Sequence, residues 1–203
     1  MTELLDTTVG WQGAMHAYLR FTPVIDWTHP MISATAQELA WRQRNPEIIA
    51  ARCCAFIRKN IRHSSEHQLS PTLYRASDVL EQRHGVCHAR VILLVALLRA
   101  NGIPAGFSSP RVAAAEITTG FCRHSLTAIH LPSHGWIRIN RQQSAAHPPP
   151  DQLPAFVPWS ADSMTLHPDP HPDVLHAFSR NTCWDALMQQ LPDRATPSDA
   201  NLP

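Results

Sequence analysis

From Val91 to Leu98 every residue of this chain is apolar. A helix apolar on all sides belongs inside a domain, so the rest of the chain must supply cover all around it. The run is punctuated at both ends. Asn101-Gly102 offers the left-handed residue that closes a helix, and Pro104 cannot continue one. At the front, Gly85 allows a sharp backbone turn and Cys87 falls at or near the first helical residue. A thiol there sits at the positive end of the helix dipole, where the first N–H groups have no helical acceptor. Such a setting lowers a thiol pKa from about 8.5 into the range of roughly 3.5 to 7.5. Cysteine also serves as a small apolar residue in cores; the downstream sequence weighs the two readings.

A chain of 203 residues fits one domain able to bury a central helix on both sides. Lys plus Arg (17) nearly equals Asp plus Glu (16), which leaves no strong field for nucleic acid or an anionic membrane. Neither partner is expected. The N-terminal residues are acidic, with no Lys or Arg before Arg20, unlike a secretory signal. The run from Val91 to Leu98 is far too short to span a bilayer. Five cysteines without a signal fit reduced thiols in a cytoplasm better than a disulfide framework. Adjacent Cys53 and Cys54 read as core thiols on a helix.

Along the chain, residues 1–30 alternate without a firm period, with 14–19 read as strand or turn, and a helical pattern begins near Ile32. Asn45-Pro46 caps and starts a second helix, whose Arg52, Arg58, Lys59 and Arg62 read as a solvated face. Residues 63–72 read as a loop, and residues 76–82 as a short helix capped by Ser77. After the Cys87 helix, residues 105–108 look like a strand. Residues 125–131 and 136–140 alternate in polarity around Pro132-Ser133-His134-Gly135, a β-hairpin signal. Pairing around that turn sets His124 and Asn140 roughly opposite each other. In a Pro-rich wrapping segment of about 144–173, residues 145–150 and 166–172 read as extended and polyproline-like, and 153–159 between them as apolar enough to dock. A helix of about 174–191 and a disordered tail, 192–203, complete a single domain over 1–191.

Cys87, His124 and Asn140 together make a nucleophile, a general base and a group that fixes the imidazole tautomer. The order Cys, His, Asp/Asn is that of papain-related enzymes. At these residues the chain resembles the transglutaminase-like superfamily, in particular its small bacterial members. The likeness lies in Ala76-Ser77-x-x-Leu80, Gly85-Val86-Cys87, Leu97-Leu98-Arg99-Ala100-x-Gly102-Ile103-Pro104, the His124 segment and Gly135-Trp136-Ile137-Arg138-Ile139-Asn140. It covers a core of roughly residues 47–142, with Ile25-Asp26-Trp27 and Ile61-Arg62-His63-Ser64 in front.

The resemblance implies an α+β, papain-like fold with the Cys helix packed on an antiparallel sheet that carries the His and Asn. It implies acyl transfer on an amide or peptide of a peptide or protein substrate, through a Cys87 thioester. Water is slightly favoured over an amine as acceptor, because the small members lack the extra domains that recruit protein amines. The family usually carries Asp where this chain has Asn140. An amide still accepts from an imidazole N–H, but it stabilises imidazolium less than a carboxylate does. The alternative is therefore a weakened or inactive scaffold that binds a peptide or protein in the same groove. The Cys87 N–H is the natural first oxyanion donor. His88, next to the Cys, has two readings, a pocket-lining residue or an exposed helix histidine, of which the second is favoured; Trp136 reads as core rather than as a substrate platform. His84, Cys87, His88, Cys122 and His124 lack zinc-site spacing, and no cofactor fingerprint is present, so neither metal nor cofactor is expected.

Overall fold

The computed structural model describes residues 15–64, 73–110, 126–139, 156–158 and 164–181. After a helical turn at 15–17, helices α1 (Pro30–Leu39) and α2 (Pro46–Asn60) each begin on a proline. Proline's missing N–H costs nothing in a first turn. The preceding side chain caps each helix: His29 Nδ1 accepts from the Met31 N–H, and the Asn45 carboxamide accepts from Glu47 N–H at 2.9 Å. Arg52, expected on a solvated face, donates to the carbonyls of Leu39 and Trp41 and ties α2 to the end of α1.

Strand β1 (Arg62–His63), helix α3 (Ala76–Gln82) and strand β2 (His84–Gly85) then lead into α4 (Cys87–Ala100). Two local expectations are corrected here. Ser77 does not cap α3. Arg75 holds the cap position without a side-chain bond, and Ser77 instead donates its N–H and hydroxyl to Asp26, at 3.1 and 2.6 Å. Nor does Gly85 supply the turn, which Arg83 makes in the left-handed region at φ 58°. Gly85 matters because its neighbours press in: a Cβ there would lie 3.1 Å from the Ala89 Cβ and 3.2 Å from Val79 Cγ1.

Helix α4 closes as its sequence demands. Gly102, at φ +72°, donates to the Arg99 carbonyl, and Ile103 N–H reaches back to Leu98 O, the paired bonds of a Schellman stop. Every residue from Val91 to Arg99 is buried, with α1, α2 and α3 around the helix and strands β3 and β4 on its sheet side. The one charge in this stretch, Arg99, donates to the carbonyls of Ala105, Arg20 and Pro168. Burial is the main cause that lowers its pKa to about 10, aided by Arg20 and opposed by Tyr18, so it stays charged at neutral pH.

The sheet is antiparallel, in the order β6-β5-β4-β3-β7. Its strands are β3 (Ala105–Pro110), β4 (Leu126–Leu131), β5 (Gly135–Ile139), β6 (Phe156–Pro158) and β7 (Met164–His167). The β4–β5 hairpin runs from Leu131 opposite Gly135 to Ala128 opposite Arg138. Both edge strands come from the Pro-rich wrapping stretch: β6 falls in the part expected to dock, and at 166–167 the polyproline-like reading is corrected to strand. Proline is tolerated at a sheet edge, where one side of the strand needs no ladder donor. Helix α5 (Pro172–Arg180) starts two residues before the expected position and stops at Asn181, whose amide donates to Ala177 O. The remainder of the expected helix, 182–191, and the tail lie outside the described residues. Among the described residues no helix is long and apolar enough to cross a membrane.

Candidate active site

The mount for Cys87 is built from its immediate neighbours. Parallel pairing of Arg62 with His84 and His63 with Gly85 fixes the segment entering α4. Beside it the buried Ser64 hydroxyl and His84 Nδ1 lie 3.1 Å apart. Burial, and then the charge of Arg62, lowers the His84 pKa, which keeps this ring neutral. Val86 takes the cap position with no side-chain bond to the first turn, and α4 begins at Cys87 as expected.

Cys87 is half-buried, whereas Cys53 is wholly enclosed in the core. Burial pushes the Cys53 thiol up, and it pushes the Cys54 thiol up to about 12 against the pull of Arg58. Both therefore stay protonated at neutral pH, as core thiols should. His88 corrects its sequence reading: it is only 3% exposed, and its Nδ1 lies 3.3 Å from the Cys87 sulfur. Sequence pattern could not have signalled this, because a helix apolar all round gives no face from which to place its flanking residues.

The hairpin expected to present the partners is in place. Ile129, Leu131, Ile137 and Ile139 join the same core cluster as α4. Trp136, read as core, is instead half-exposed, edge-on to Tyr18 with centroids 4.6 Å apart and to His130 at 5.5 Å. His124 and Asn140 lie outside the described residues, the first two positions before β4 and the second directly after β5. Cys122 and Cys183 lie outside them as well. Among the described residues no three His, Cys, Asp or Glu side chains are grouped to hold a metal ion.

A family model described as the transglutaminase-like superfamily matches residues 33–141. No curated protein matches the sequence. Three solved structures are similar at low identity. A cysteine protease candidate from Cytophaga hutchinsonii is 17% identical, with a TM-score of 0.48, over 79% of this chain and 53% of its own. The periplasmic domain of TgpA from Pseudomonas aeruginosa is 20% identical, with a TM-score of 0.44, over 73% of this chain and 52% of its own. A protease candidate from Parabacteroides distasonis is 13% identical, with a TM-score of 0.42, over 63% of this chain and 25% of its own. The chain thus spans about half, or less, of the solved chains it matches.

Proposed function

The chain belongs to the transglutaminase-like superfamily, and from that premise we propose that it transfers acyl groups from an amide or peptide bond through a thioester on Cys87. The reading is carried by one observation: a half-buried sulfur on the first residue of a helix whose body is locked in the core. A thiolate gains there from the helix dipole, and a rigid helix holds it in one place.

In this reading His124 takes the Cys87 proton and Asn140 holds the imidazole. The β4–β5 hairpin supports the pairing. Strand β4 begins two positions after His124 and β5 ends one position before Asn140, so in sequence the two residues flank one hairpin. The sulfur bonds to the acyl carbon, and the carbonyl π pair moves to oxygen, where the Cys87 N–H receives it. Collapse breaks the C–N bond, and the departing amine takes the proton from His124. Water, or a second amine, then gives its proton to His124 and attacks the thioester, releasing the thiol.

Asn140 favours a second reading, a scaffold that binds a peptide or protein partner in the same groove, because a neutral amide supports imidazolium weakly. Iodoacetamide labelling near neutral pH with mass mapping separates the two. Preferential alkylation of Cys87 over Cys53, Cys54, Cys122 and Cys183 is the outcome expected of an enzyme. Slow, uniform labelling of all five would leave the scaffold. An acyl-warhead probe then tests for the thioester itself.

A further inference from the structure

We propose that His88 is a second imidazole of the catalytic site, donating its Nδ1–H to the Cys87 sulfur and holding it as a thiolate ready for attack. This rests on the reading of Cys87 as nucleophile. Neighbouring positions on a helix point well apart, so residues i and i+1 do not ordinarily meet. Here Nδ1 lies 3.3 Å from Sγ across that spacing. Side chains of a helix lean toward its N-terminus, and at the first two positions of α4 both lean over the mouth of the helix.

The ring is 3% exposed, in a helix with no side-chain cap. A neutral ring bearing its proton on Nδ1 meets a thiolate as a donor, and charge-assisted hydrogen bonds of that kind are the stronger ones. His88 on this assignment does not take the thiol proton. It stabilises the sulfur once His124 has the proton, and it fixes the direction of the sulfur lone pairs.

The test exploits two amides of different reach. In His88→Asn the carboxamide falls where Nδ1 was and can still donate to sulfur. In His88→Gln it falls where Nε2 was and cannot. Alkylation of Cys87 in the full chain by iodoacetamide at pH 6, mapped by mass spectrometry, gives the rate, and a thermal melt checks each variant's fold. Losing the bond lowers the thiolate population about tenfold. Roughly half of that on a logarithmic scale reaches the rate, because a less stabilised thiolate is a better nucleophile. His88→Gln is therefore expected to label about threefold more slowly, and His88→Asn at nearly the native rate.

Native rates in both variants overturn the proposal, and equal slowing in both overturns the Nδ1 assignment on which it depends. On the unaltered chain, ¹⁵N-edited spectra must find the His88 proton on Nδ1, and a bare Nδ1 overturns the proposal without any substitution. These outcomes differ from failure of the underlying reading, in which native Cys87 labels no faster than Cys53 and Cys54; that result would overturn both.

Discussion

Asp26 receives both the N–H and the hydroxyl of Ser77, a residue 51 positions away, and so closes the start of α3 from outside the helix. Removing its carboxylate leaves two buried donors unmet. Asp26→Ala should cost roughly 2–4 kcal/mol, read from urea unfolding; a loss under about half a kcal/mol would mean that water replaces the carboxylate. The sequence pointed to a serine cap because serine commonly caps locally, and it could not reveal a cap reaching in from another segment. The place of Cys87 at a helix start was legible, since an apolar run behind a Gly-x-Cys fixes where the helix begins. Asn140, proposed above to hold the imidazole, yields a second test at this scale. Asn140→Asp should keep or raise Cys87 labelling, while His124→Ala should depress it by about 10²-fold or more. Equal rates in these two variants and the native chain would count against the triad.

At the scale of elements, α4 was the most legible because its stop signal and its composition agree. Gly102 sits at φ +72°, and a Cβ at this position would meet nothing within 4 Å, so Gly102→Ala tests backbone strain alone. The expected cost is about 1 kcal/mol, with Cys87 labelling unchanged. Leu97, wholly buried in the middle of the core, should cost about 2–5 kcal/mol when cut to alanine, through lost burial and the cavity left behind. Calorimetric or urea melts would rank the two, and a Leu97→Ala loss no larger than that of Gly102→Ala would contradict the packing described. The hairpin was legible through its period of two and its Pro-Ser-His-Gly turn. Strands β6 and β7 were not: three or four residues within a proline-rich stretch carry no period, and their strand character comes from the sheet edges they join.

For the molecule as a whole, the thirteen histidines of the sequence make acid stability the informative measurement. Among the described residues, His84 and His130 have pKa values lowered below the ordinary 6.5, His84 by burial and then by Arg62, and His130 by burial. Their rings lie in different places, His84 beside Ser64 ahead of the Cys helix and His130 against Trp136 on the sheet. Between the folded and unfolded pKa values, the unfolded chain binds more protons than the folded one. Stability therefore rises with pH through this window and is lost as pH falls from about 6.5 toward the lower folded values. Urea unfolding at pH 7.5 and 5.5 should give a lower midpoint at 5.5, a difference reduced in His84→Gln and again in His130→Gln. With one ring beside Ser64 and the other against Trp136, their effects should add within about half a kcal/mol. An unfolding midpoint that is flat or rises on acidification would mean that other groups gain enough on protonation to outweigh both rings, and it would remove the mount of the Cys helix as a source of acid sensitivity.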